Sequence, residues 1–190
     1  MEKTSLKFLL CLLVSLFVFS APINAGQNQI ISKVAALELS FADANWDGKI
    51  IPEGQQCIEY GGNGASPRIQ IKNIPSKANT LILEFSDATY PPCDNGGHGI
   101  VSYRISKGTT RVIIPSIKGQ TFDLPEGFTL IKEHCGKDLG MQRGAYIGPC
   151  PGAGNFYYVI IKAERVSKGK LKPELLGLGR LNFGNLKESE

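Results

Sequence analysis

Only two residues in this 190-residue chain, His98 and His134, can supply an imidazole. His98 follows two glycines and opens the apolar run GIVSYRI, a placement that puts its side chain at the end of a strand. Asp87 closes the preceding run, TLILEFSD. If the two runs pair as a hairpin through ATYPPCDNGG, Asp87 and His98 meet at one sheet edge. An imidazole, a carboxylate and the N–H groups of a glycine loop can together hold a phosphate or other oxyanion, whose oxygens need several donors in fixed positions. A surface histidine and a turn aspartate would leave the same trace in the sequence, so both alternatives stand.

Other chemistry is poorly supplied. A serine nucleophile needs a partner histidine and a setting such as GxSxG, which the chain lacks, and Ser66 in GASPR precedes a proline as a turn residue does. The stretch DANWDGKIIPEG, residues 43–54, opens like a calcium loop with Asp43, Asn45, Asp47 and Gly48. Such a loop needs a bidentate glutamate at its twelfth place, where Gly54 stands with Glu53 one place early. A polar turn is the expectation there, with no catalytic residue, metal or cofactor. Residues 144–154, GAYIGPCPGAG, set a cysteine between two prolines among four glycines. Glycine permits close backbone approach and proline fixes φ, so this segment is a stiff turn that serves as a strand connector or a pocket wall.

Those residues need a scaffold and a compartment. Met1, Lys3 and Lys7 precede the apolar run FLLCLLVSLFVF, Phe8 to Phe19, and small residues follow in SAPINA. A membrane span needs about 20 apolar residues, so the run is expected to be a signal peptide cleaved after Ala25, giving an exported protein, periplasmic or secreted. Cys11 sits inside the apolar run and not after it, which argues against lipid attachment. Without residues 1–25 the chain keeps 19 basic against 16 acidic residues, too mild a balance for a nucleic-acid partner. Four cysteines remain, Cys57, Cys93, Cys135 and Cys150. An even number in an exported chain reads as two disulfides with three connectivities open, and the absence of any CxxC pair argues against zinc.

Apolar and polar residues alternate in ALEL (36–39) and RIQIKNI (68–74), while TLILEF (80–85), GIVSYRI (99–105), TRVIIP (110–115), FTLIK (128–132) and YYVIIKA (157–163) are short β-branched or apolar runs. Turn clusters rich in Gly, Pro, Asn and Ser separate them. Many short strands at fairly even spacing predict an all-β antiparallel sandwich or barrel of one domain. The tail KPELLGLGRLNFGNLKESE carries three glycines, each costing a helix about 1 kcal/mol relative to alanine, so residues 167–190 are expected to be a loosely packed or irregular C-terminal extension. The expected division is therefore 1–25 signal peptide, 26–166 β-sandwich domain and 167–190 extension.

The order of the motifs resembles the phosphatidylethanolamine-binding protein family, also called the Raf kinase inhibitor protein family, and within it the bacterial YbhB/YbcL group. LSFADANWDGKIIPEG is similar to that group's opening. Cys57 and GGNGASPRIQIKNIP resemble the family's cysteine and its G-x-N-x-SP segment, and LILEFSDATYPP stands where the family has DPDAP. GGHGIVSYRI takes the place of its W-H-W strand, and LPEG, GAYIGPCPGAG and FYYVIIKA resemble its P-x-G, GY-x-GPCPP and HRY-containing segments. The resemblance covers about residues 37 to 164. It implies a β-sandwich of two antiparallel sheets with few short helices and a small anion pocket at one end, lined by Asp87, His98, Gly148 with Pro149, and Tyr158.

Departures from the family pattern accompany the resemblance. Thr89 replaces the second aspartate, Gly97 and Gly99 replace the tryptophans beside the histidine, and Phe156 and Tyr157 replace the HR before the tyrosine. Losing those aromatic walls and the arginine is expected to open the pocket and remove a positive partner. By placement against the family, Cys93 pairs with Cys135 and Cys57 with Cys150, which makes GAYIGPCPGAG a pocket wall tied down through Cys150. The implied function is a non-enzymatic exported binding protein for a small anion or phosphorylated head group that modulates a protein partner. The alternative is an interaction or inhibitor module with a degenerate anion pocket. Relatives in the bacterial group suggest a homodimer.

Overall fold

The computed structural model describes residues 34–150, 154–169 and 172–186; the expected signal segment at 1–25 lies outside them. Each of the runs read above as strands between residues 36 and 163 falls on strand structure. In chain order these are β1 (Ala35–Ala36), β2 (Glu38–Phe41), β3 (Ile69–Lys72), β4 (Thr80–Asp87), β5 (Gly99–Arg104), β6 (Arg111–Ile114), β7 (Phe128–Lys132), β8 (Phe156–Arg165) and β9 (Glu174–Asn185). Helical structure among the described residues is confined to three 3-10 turns, at Ile58–Tyr60, Pro91–Cys93 and Cys135–Leu139. No helix there is long and apolar enough to cross a membrane.

The strands form a six-stranded sheet in the order β1-β9-β8-β4-β5-β7 and a three-stranded sheet in the order β2-β3-β6. Pairing is antiparallel except between β1 and β9. The protein is therefore all-β, a sandwich of two open sheets. Alternation along the strands decides what faces inward. Leu81, Leu83 and Phe85 of β4 and Val159, Ile161 and Ala163 of β8 turn to the core, where they meet Ile69, Ile71 and Ile114 of the smaller sheet. The opposite face of β4 and β8 carries the ion pair of Glu84 with Lys162.

One expectation is corrected. The tail read as a loosely packed or irregular extension holds the 12-residue strand β9, paired along the whole of β8. Its glycines are not helix breakers. Gly177 and Gly179 both face the small sheet, and a Cβ there would stand 2.9 Å from a methyl of Leu37 and of Leu39 respectively. The bare backbone lets the β1–β2 segment lie flat against β9. The calcium-like stretch forms a polar turn as expected: Asp47 accepts from the Lys49 and Ile50 amides at 2.8 and 3.1 Å, and Asp43 is held by Arg68.

The glycine packing can be tested directly. Gly179→Val should destabilise the fold by about 1–3 kcal/mol through overpacking. Leu178→Thr, on the exposed side of the same strand, should stay within about 0.5 kcal/mol of the parent. Urea unfolding of both variants checks this, and equal losses would remove the packing role of Gly179.

Candidate functional site

Asp87 and His98 owe their positions to the centre of the large sheet. β4 lies between β8 and β5, so Asp87 at its end is fixed from one side by pairing with Tyr157, while Phe85 pairs with Gly99 on the other. The His98 amide extends that ladder by donating to the Phe85 carbonyl at 2.9 Å. The hairpin inferred from the sequence thus brings the carboxylate and the imidazole to one cavity of about 340 Å³. Both residues are almost fully buried.

Each is held in a defined state. The Asp87 carboxylate accepts from the Thr89 and Tyr90 amides at 2.8 and 3.2 Å and from the Asn155 side chain at 2.7 Å. The His98 Nδ1 lies 3.0 Å from the Ile147 carbonyl, an acceptor, so the neutral ring carries its proton on Nδ1 and keeps a lone pair on Nε2. Burial pushes His98 below the ordinary 6.5, against the opposing pull of the Ile147 carbonyl and Asp87. His134, fully buried nearby, is lowered by burial and then by the His98 charge, and neither of its ring nitrogens has a hydrogen-bond partner among the described residues.

The loop 144–150 is the wall its composition suggested. Ala145 donates to the Thr121 carbonyl, Ile147 to the His98 carbonyl, and the Tyr146 carbonyl accepts from Gln120. Two cysteine pairs stand at disulfide positions, Cys57 with Cys150 at a Cα separation of 5.1 Å and Cys93 with Cys135 at 5.5 Å. Cys93, Cys135 and Cys150 all line the cavity. Glu59 lies beside the Cys57 and Cys150 sulfurs, but a disulfide leaves no thiolate to bind a metal.

The other residues carried over from the family fall elsewhere. Gly148 is packed against Gly64, where a Cβ would meet the Gly64 Cα at 2.5 Å. Pro149 and Tyr158 border, together with His98 and Tyr157, a second crevice of about 10 Å³, no larger than one water requires. Tyr158 pairs with Ser86 and so faces away from Asp87; its hydroxyl donates to Asp94 and its ring is covered by Arg180 at 3.7 Å. Tyr157 is the tyrosine on the Asp87 face. Its ring meets His98 edge-on at 5.4 Å and its hydroxyl donates to the Cys150 carbonyl at 2.5 Å. Burial, then Asp87, raises its hydroxyl well above the usual phenol value. The pairing of Asp87 with Tyr157 was the available signal, since a shift of one residue turns a side chain to the opposite face.

The replaced tryptophans do not leave the open mouth expected. A Cβ on Gly97 would strike Cys93 at 2.3 Å, and Gly99 has a φ of +117° with the Ala145 carbonyl 2.1 Å from its Cβ position. The disulfide loop and the 144–150 wall occupy that space. Aromatic surface comes instead from Tyr60 and Tyr90, which line the cavity with Leu139 and Met141. Thr89, in place of the second aspartate, accepts from the Phe156 amide at 2.9 Å. No lysine or arginine appears among the described residues of the lining.

No protein-family model and no curated protein matches the sequence. Among solved structures, the chain is similar to a phosphatidylethanolamine-binding protein homolog from Chlamydia trachomatis at 20% identity and a TM-score of 0.49, with 81% of this chain and 99% of that chain covered.

The depressed imidazoles give a pH dependence of defined sign. Unfolded histidines bind protons near pH 6.5 while the folded ones resist, so below that pH the unfolded chain binds more protons and stability falls as pH falls. The urea midpoint should be flat above pH 7 and drop on acidification. NMR titration of the two rings should give midpoints below 6.5; a midpoint above it for His98 would contradict the burial described.

Proposed function

We propose that the protein is an exported, non-catalytic binding protein of the phosphatidylethanolamine-binding type, and that the Asp87–His98 cavity takes a small phosphorylated head group. The observation that carries this is the convergence of a buried carboxylate and a neutral imidazole on one walled cavity at the end of β4 and β5. Three protein donors already satisfy part of the Asp87 carboxylate, and a carboxylate has about four acceptor positions. It therefore has room for one further donor, and the His98 Nε2 lone pair asks for another. A head group that brings donors as well as a phosphate, such as phosphorylethanolamine, suits these groups better than a phosphate dianion. Tyr60 and Tyr90 add phenolic hydroxyls at the rim.

Absence of catalysis belongs to the same proposal. The cysteines of the lining stand in disulfide positions, and the neutral histidine faces no serine or threonine poised as a nucleophile beside it among the described lining residues; the Thr89 hydroxyl is engaged with the Phe156 amide.

A second reading, a protein-interaction or inhibitor module with a degenerate anion pocket, is favoured by one observation. The lining lacks a lysine or arginine among the described residues while the rim exposes Tyr60 at 52%, Tyr90 at 39% and Leu139 at 53%. Such a rim is suited to an apolar protein contact.

Calorimetric titration of the folded protein with phosphorylethanolamine and with inorganic phosphate separates the two. Saturable binding of phosphorylethanolamine, stronger than that of phosphate and lost in both His98→Ala and Asp87→Asn, is the expected result. No binding to the parent would discard the head-group function. The rim variant Tyr60→Ala with Tyr90→Ala then becomes the one to compare in partner capture.

A further inference from the structure

The end of the sandwich opposite Asp87 has chemistry of its own. There the β3–β4, β5–β6 and β8–β9 connections come together, and each carries a Ser-Lys pair: Ser76-Lys77, Ser106-Lys107 and Ser167-Lys168. A cavity of about 310 Å³ opens between them, lined by Lys77, Asn79, Lys107, Arg165, Val166 and Ser167. No acidic side chain lines it among the described residues.

Asn79 ties the three connections together. Its backbone amide donates to the Glu164 carbonyl at 3.0 Å and its carbonyl accepts from the Ile105 amide at 3.1 Å. Its side chain donates to the Val166 carbonyl at 2.8 Å and accepts from the Val166 amide at 2.9 Å. Gly108 adds a bond from its amide to the Ser76 carbonyl at 2.9 Å. The cations are thus mounted on a braced frame rather than on three independent loops.

Charge in this cavity is unbalanced. Arg165 pairs with Glu174, yet its Nε has no acceptor among the described residues. Lys77 and Lys107 form no ion pair there, and both are exposed. Glu164 on β8, whose backbone carbonyl accepts from Asn79, has its carboxyl raised by burial. A second recess formed by the same two segments, 72–79 and 104–111, is lined by Lys72 and Arg111 and extends the positive surface.

We propose that this cavity is an oxyanion site, taking a phosphate or sulfate group between Lys77, Lys107 and Arg165 with the Ser167 hydroxyl as a further donor. Cations approaching from three sides of a recess, one of them a guanidinium, match the tetrahedral arrangement of such oxygens better than a flat basic face does. The site is independent of the Asp87–His98 cavity. The length of β4 separates them, roughly 23 Å at about 3.3 Å per residue.

The group could come as a free ion or on an anionic lipid, and the test distinguishes these. Amide NMR spectra of the full folded domain are titrated with inorganic phosphate at low ionic strength, and the same protein is sedimented with phosphatidylcholine vesicles with and without phosphatidylglycerol. Saturable shifts at Gly108, Val166 and Ser167 are expected, weakened about tenfold or more in Lys77→Gln with Lys107→Gln. Because both lysines are exposed, the double variant should melt with the parent and retain any phosphorylethanolamine response at His98. Pelleting with the anionic vesicles that the variant loses assigns the group to a lipid; phosphate binding without pelleting assigns it to a free ion. Neither response at these amides, or a response that survives both substitutions, overturns the proposal whatever happens at the Asp87 cavity.

Discussion

Three stretches of backbone pass within contact of one another at the His98 end of the sandwich, and the site depends on that crossing. Gly64, with a φ of +60°, lies between Gly119 and Gly148, whose Cβ positions would fall 2.7 Å from its carbonyl oxygen and 2.5 Å from its Cα. Side chains at these places would force the loops apart. Because they are bare, the Cys57 amide reaches the Pro149 carbonyl at 2.9 Å and Cys57 comes within bonding range of Cys150. The wall so anchored presents the Ile147 carbonyl to His98, and that contact sets which ring nitrogen carries the proton. The composition of residues 144–150 is thus explained from the backbone outward: glycine where chains touch, proline where a donor is not needed, cysteine where the two can be tied.

Much of this was legible in the sequence because short strands between turn clusters leave a plain pattern. β3 to β8 lie where alternation or β-branched runs placed them, and the Asp87–His98 encounter followed from treating two of those runs as a hairpin. The tail failed for a physical reason. Glycine lowers helix propensity wherever it stands, but in Gly177 and Gly179 the informative property was their spacing of two, which marks one face of a strand. Tyr158 stands on the opposite face of β8 from the residue paired with Asp87, a distinction that a motif match does not make and the pleat does. The basic end was illegible for another reason. Lys77, Lys107 and Arg165 are far apart in sequence, and a net charge of +4 says nothing about where the cations gather.

The two ends of β4 therefore differ in kind. At one end Asp87 and His98 are buried, the carboxylate capped by amides and the imidazole held against the Ile147 carbonyl, in a cavity walled by aromatic rings and sulfur. At the other end the charges are exposed cations on a braced backbone. Burial makes the first end sensitive to protonation and nearly indifferent to salt, because ions in solution do not screen what they cannot approach. The second end has the opposite dependence.

The pairing of β1 with β9 sets the order in which the molecule can be assembled. Ala35 lies opposite Gly177 and Ala36 opposite Leu178, so the first described strand finds its neighbour in the last. Contacts of such sequence separation give a high contact order, and loop-closure entropy must be met before they return any stabilisation. β8 and β4 can pair before that edge exists, but the six-stranded sheet is complete only when both extremities of the domain are present together. A nascent chain emerging residue by residue would hold β1 unpaired until β9 appears, with Leu37 and Leu39 uncovered meanwhile. With only two residues, that waiting strand is a poor template for other chains.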